Sequence, residues 1–264
     1  MRSLTALDFD RSMHLFRMDL HRLFHGKAFY VMIGISIFIP VMMLTQMSDP
    51  RSIAAFIGSN GASNGGFGAG MNLSMLVALT GMLLSISIGK EYSTGFIKNI
   101  IVVHANEYDY IMSKLMIALI CNATFFLVYL VTLLALGTAM GVPAGIPSID
   151  GLVWYVAEKM LLSIPASMLM IAASLVFRRN YGWSIAAICI VATGIIPLSM
   201  QMGLRMAGLG LVASMLDFTV AGASSLATLT PHAGSLLAIL CVSAAWTVVW
   251  SLVARGLMSK RDVL

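Results

Sequence analysis

Met160 to Phe177 runs without one charged side chain, and five other stretches of the chain come close to matching it. A soluble core would interrupt such runs with a polar face at every helical turn, so they read as bilayer spans. The rest of the sequence agrees: 59% of the 264 residues are hydrophobic and 10% are charged, where a soluble domain carries about 25% charged residues. With a mean hydropathy of +0.92, the expected fold is an all-α membrane protein, one transmembrane domain over residues 1–264.

Six spans are expected, at roughly 29–46, 73–88, 115–139, 154–177, 183–198 and 235–252. Residues 1–27 are polar and basic, yet Met13, Phe16, Leu20, Leu23 and Phe24 share one helical face and His14, His21, Arg22 and His25 the other. That pattern predicts an interfacial helix whose contact residues are Phe16, Leu20, Leu23 and Phe24; Leu15 and Met18 fall off its apolar face. The first long apolar run begins near Phe29 and continues as a full span, so no cleavable signal peptide is expected. Gly61 to Gly70 is too glycine-rich for a regular helix, and it lacks the strand and soluble helix that a phosphate-cradling loop needs. Residues 89–114 form the longest charged connection inside the chain. Residues 199–234 are apolar enough for a loop to re-enter the bilayer.

Orientation follows from the basic residues, which favour the cytoplasm near span ends. With the N-terminus inside, every Lys and Arg lies on the inner side except Arg51, Arg205 and Lys159. Six crossings then put both termini in the cytoplasm of a cell-membrane protein. A seventh crossing would carry Arg255, Lys260 and Arg261 outside.

The chemistry open to such a chain is narrow. The formal net charge of +5 is spread as topology signals rather than gathered on a face, so no nucleic acid partner is expected. Cys121, Cys189 and Cys241 lie inside predicted spans without metal or disulfide spacing and read as small buried thiols. The five His residues form no zinc pair, and the 21 Met residues read as packing rather than copper ligands. Glu158 and Lys159 are the ionisable residues that enter a span; Lys159 is expected to snorkel to the interface. No Gly-x-x-x-x-Gly-Lys-[Ser/Thr] loop is present, so no catalytic residue, metal site or cofactor is expected in this chain. ATP and Mg would belong to a partner.

One segment is more informative. It runs Gly89-Lys90-Glu91-Tyr92-Ser93-Thr94-Gly95-Phe96-Ile97-Lys98-Asn99-Ile100 and continues from Glu107 to Ser113-Lys114. A span ends, an acidic residue follows, Gly95 permits a turn, and a short amphipathic piece precedes the next span. This arrangement resembles the permease subunits of ABC-2-type transporters, of the small six-span bacterial exporter kind. The resemblance implies a coupling segment that docks on an ATPase through Glu91, Gly95, Ile97, Lys98 and Asn99, with the interfacial helix beside it. It further implies two copies of a cytosolic ABC ATPase and a second permease copy or a related permease. The implied path between permeases is lined by Met75, Leu76, Thr80, Leu83 and Ser87 on the second span and Ile185, Ile188, Ala192 and Ile195 on the fifth.

The nearly charge-free interior predicts an amphipathic peptide, such as a bacteriocin or toxin, or a hydrophobic drug as cargo, since ions gain little from such walls. Immunity to an antimicrobial peptide is the expected role. Two alternatives remain from the residues. A secondary carrier would need acidic groups at mid-membrane and two related halves, and neither is visible. A membrane assembly component without transport, including a permease for metal-site maturation, would need none of these features.

Overall fold

The computed structural model describes residues 6–45, 71–96, 107–141, 149–177, 180–192 and 233–259. Among them are seven helices and no strand: α1 (Ala6–His25), α2 (Lys27–Thr45), α3 (Met71–Ser93), α4 (Glu107–Ala139), α5 (Ile149–Val176), α6 (Tyr181–Ala192) and α7 (Ala233–Ser259). Three of them, over Tyr108–Ala139, Ile149–Val176 and Leu236–Met258, are long and apolar enough to cross a membrane. The α1–α2 pair, bent by 65° at Gly26, adds a fourth candidate, and α6 contributes a shorter apolar helix. The 23 residues of α3 reach about 34 Å at the helical rise, with Lys90 and Glu91 in the final turns.

α5 is the centre of the bundle, packed against α7, α3, α4 and α6. α2 and α1 lie on α4, and α3 also packs on α6 and α4. Leu84, Ile88, Phe125, Leu133, Leu162 and Ile171 are fully buried among these helices. In α3, a side chain at Gly81 would stand 3.0 Å from both Ile188 of α6 and Met170 of α5, so glycine sets how closely those three helices approach.

Lipid is as apolar as leucine, so side-chain hydrogen bonds hold these helices together as much as greasy contact does. Thr80 of α3 donates to Asn122 Oδ1 of α4 at 2.6 Å, and Asn122 Nδ2 donates to Ser167 of α5 at 2.8 Å. One α3 turn further on, Ser85 bonds Ser174 of α5 and Ser184 of α6, each at 2.8 Å. A third link starts from a proline. Pro165 lies inside α5 and has no N–H, which deprives the carbonyl four residues earlier, that of Leu161, of its usual donor. Ser243 of α7 donates to that Leu161 oxygen at 2.8 Å.

Several expectations are corrected here. α3 runs on to Ser93, past the expected end of the second span at Ile88, and α4 starts at Glu107, ahead of the expected start of the third span near Leu115. The charged residues that read as a connection are partly helical, because their side chains find partners inside the protein. Lys159 does not snorkel: it is 5% exposed, with its Nζ 5.2 Å from the Tyr155 ring centroid, and Glu158 beside it is buried too. Of the thiols only Cys121 is buried; Cys189 is half-buried and Cys241 is exposed on α7. Of the 199–234 segment, residues 199–232 lie outside the described residues, and 233 and 234 open α7.

The proline account is testable by a double-mutant cycle. Ser243→Ala should destabilise the protein by about 1 kcal/mol, within the range of intramembrane hydrogen bonds. In a Pro165→Ala background, where the helix supplies its own amide to Leu161, the same change should cost clearly less in thermal unfolding in detergent.

Candidate coupling site

Where α4 begins, Tyr110, Ser113 and Lys114 fall three and four residues apart and therefore share a face. Two other helices close on that face, α1 with Asp19 and α3 with Glu91. Lys114 Nζ donates to Asp19 Oδ2 at 2.9 Å and to Glu91 Oε1 at 2.6 Å. Tyr110 donates to the other Glu91 oxygen at 2.7 Å, and Ser113 donates to Asp19 Oδ2 at 3.2 Å. Lys114 is 1% exposed and both carboxylates are 5% exposed. One lysine thus joins three helices in a place that water barely reaches.

Such a group contributes less to stability than to arrangement. Removing three charges from water is unfavourable, and their attraction only roughly offsets it; losing one partner leaves a bare buried charge and costs about 3–5 kcal/mol. The helices are therefore held in one mutual position by a penalty against leaving it.

Immediately beyond Glu91 the chain turns. The Thr94 amide donates to the Lys90 carbonyl at 3.0 Å, the Gly95 amide to the Tyr92 carbonyl at 3.2 Å, and Thr94 Oγ1 to the Lys90 carbonyl at 2.8 Å. Gly95 has φ +70°, the left-handed conformation that ends helices and that glycine adopts without a Cβ clash. The guanidinium carbon of Arg22 then sits 4.1 Å from the Phe96 ring centroid, so α1 also touches the first residue after the turn. A cavity of about 480 Å³ opens beside the cluster, between α1, the bend at Gly26, α3 and α4.

The structure distributes the expected site residues unevenly. Glu91 faces inward to Lys114, and Gly95 occupies the turn; Ile97, Lys98 and Asn99 lie outside the described residues. On α1 the side packed into the protein differs from the face expected to lie on the membrane. Leu15, Asp19 and Leu23 form the buried stripe, Phe16 and Leu20 are half-buried, and Phe24 is 40% exposed with its ring edge-on to Phe29. Of the residues expected along a path, Leu76, Thr80, Leu83 and Ile188 are buried between helices of this chain, and Ser87 and Ile185 are half-buried. Met75 and Ala192 belong to α3 and α6, and Ile195 lies outside the described residues.

Asp19 and Tyr110 escape the sequence reading. Asp19 stands four residues from both Leu15 and Leu23, so a carboxylate in the middle of an apolar stripe was the signal that a buried partner existed.

The family model described as ABC-2 family transporter protein matches residues 15–197, more than half of the chain and from the α1 stripe through α6. The chain belongs to the ABC-2 transporter family. No curated protein and no solved structure matches it. As an ABC-2 permease it is a membrane subunit of a transporter, and membership implies an ATPase partner. All of the cluster that Lys114 organises in this permease, from Asp19 to Ser113, lies within the matched region.

Lys114→Met should lower the stability of the permease by about 3–5 kcal/mol, because it strands two buried carboxylates. Combining it with Asp19→Asn and Glu91→Gln should recover much of that loss. Thermal unfolding of the purified protein in detergent checks both outcomes, and a triple variant less stable than the single one would contradict them.

Proposed function

We propose that this chain is the permease subunit of an ATP-driven exporter that pairs with a second permease and takes its energy from a separate cytosolic ATPase through the turn at Gly95. The observation that carries the proposal is the single buried Lys114 holding α1, the end of α3 and the start of α4 together beside that turn. A push on the turn cannot be absorbed locally, because bending it away from α4 would expose or unpair buried charges. It is passed along α3, whose Thr80, Gly81 and Ser85 engage α4, α5 and α6.

In this reading six spans put both termini in the cytoplasm, in keeping with the placement of Lys and Arg. Two ATPase subunits draw together on binding ATP with Mg, the coupling segments from Glu91 to Asn99 follow them, and the permease pair closes inward and opens outward. Cargo affinity and nucleotide affinity are then coupled reciprocally. The nearly charge-free interior favours an amphipathic peptide or a hydrophobic drug.

The test is a reconstitution of the permease with the ATPase that co-purifies with it. Gly95→Val forces a branched side chain into a left-handed conformation, which is unfavourable by about 1–2 kcal/mol, and should reduce cargo-stimulated ATP hydrolysis several-fold. Gly95→Asn, whose side chain tolerates that conformation, should retain most of it. Equal stimulation in both variants, or purification without any stoichiometric ATPase, would refute the proposal.

A further inference from the structure

The cavity of about 480 Å³ between α1, the bend at Gly26, α3 and α4 is charged at one end and apolar at the other. Along α3 its lining passes from Leu83 and Leu84 to Ser87, Lys90 and Glu91 in about two helical turns. Along α4 it passes from Ile117 to Lys114 in about one turn. Leu23 and Phe29 complete the apolar wall. The charged end therefore coincides with the end of α3 and the start of α4, and the apolar end with deeper turns of the same helices.

The lining carries three cations, Arg22, Lys90 and Lys114, against two anions, Asp19 and Glu91. Lys114 and the carboxylates already serve one another: its ammonium donates to Asp19 Oδ2 and Glu91 Oε1, and Ser113 and Tyr110 donate to the same two groups. Arg22 and Lys90 are the charges left over. Both are exposed, and neither pairs with a carboxylate among the described residues. Arg22 lies over the Phe96 ring, a contact that supplies no oxygen acceptor to the guanidinium N–H groups. One cation from α1 and one from α3 thus stand over the same cavity.

We propose that this cavity binds an acidic phospholipid of the surrounding bilayer, its phosphate between Arg22 and Lys90 and an acyl chain along Phe29, Leu83 and Leu84. Phosphate oxygens accept charge-assisted hydrogen bonds from guanidinium and ammonium alike, and basic pockets between the ends of membrane helices suit such headgroups. The volume falls within the range of about 300–1,000 Å³ that encloses ligands of moderate size, enough for a headgroup and the start of a chain. A cationic amphiphile would meet two unpaired positive groups, and a free phosphate would make no use of the apolar wall. The bound lipid ties α1 to the end of α3. The proposal is independent of whether the Gly95 turn touches an ATPase.

Calorimetric titration of the full chain in a non-ionic detergent tests it, with dioctanoyl-phosphatidylglycerol, dioctanoyl-phosphatidylcholine and glycerol phosphate as probes. The two lipids share their tails and differ in net charge, and glycerol phosphate is a head without tails. Phosphatidylglycerol should bind about tenfold tighter or better than either of the others. Arg22→Gln and Lys90→Gln should each weaken it by about fivefold, the share of one cation near an acidic lipid, with a smaller effect on phosphatidylcholine. Lys27→Gln removes an exposed cation next to the bend that does not line the cavity, and should change phosphatidylglycerol binding by less than about twofold. All three side chains are exposed, so the variants should unfold at the temperature of the parent. Equal affinity for the two lipids, or no saturable binding, would overturn the proposal. So would a Lys27→Gln effect as large as that of Lys90→Gln, the mark of diffuse surface attraction, or glycerol phosphate binding as tightly as the acidic lipid, the mark of a free-phosphate site.

Discussion

A lysine with almost no access to water can stay charged in an apolar protein only if anions surround it, and that condition organises this permease. Lys114 meets it with one carboxylate from the helix before the first bend and another from the helix before the Gly95 turn. The requirement is stricter than hydrophobic packing, because leucine can slide on leucine at little cost whereas an ion pair of this kind has one satisfactory geometry. Position, rather than stability, is what the cluster provides. The elements it fixes relative to one another are α1, the end of α3 and the start of α4.

The same logic continues through the bundle in weaker form. Thr80, Asn122 and Ser167 bind α3 to α4 and α5, and Ser85, Ser174 and Ser184 bind α3 to α5 and α6. α3 thus carries polar side chains at successive levels, each engaging different neighbours. By contrast α7 is mostly bare: only 17% of its most apolar window is buried, and Leu237, Val248 and Leu252 project outward. A surface of that kind suits lipid tails and needs no directed contact.

Much of the architecture could be read from the residues because bilayer spans announce themselves by what they lack. Their ends could not. Lys90, Glu91, Ser113 and Lys114 look like the boundary of a membrane segment, yet they continue helices, since Glu91 and Lys114 neutralise each other across 23 positions of sequence. Glu91 was legible as special but not as inward-facing, and the side of α1 that packs on α4 went unseen because Asp19 counts as polar until its partner is known. Lys159 misled in the same way, its exposure predicted from length of side chain while the fold buried it. Gly95 was the most legible residue, as a turn needing a left-handed backbone has few other candidates. Asn122 and Ser167 left no trace in the sequence, and Thr80 stood out only as a residue of the expected path, because the partners are ordinary residues 42 and 45 positions apart.

Pro165 has a quieter effect. By withholding one amide hydrogen it turns an interior oxygen of α5 into a socket that a neighbour must fill, and Ser243 fills it. A screw motion of α7 by one turn in one sense would bring Ile239 or Leu240 to the socket, neither with a hydroxyl, and in the other would bring up Thr247, which stands four residues beyond Ser243 and now donates to its carbonyl. A climb one way therefore leaves the oxygen bare, while the opposite slide offers it a replacement donor.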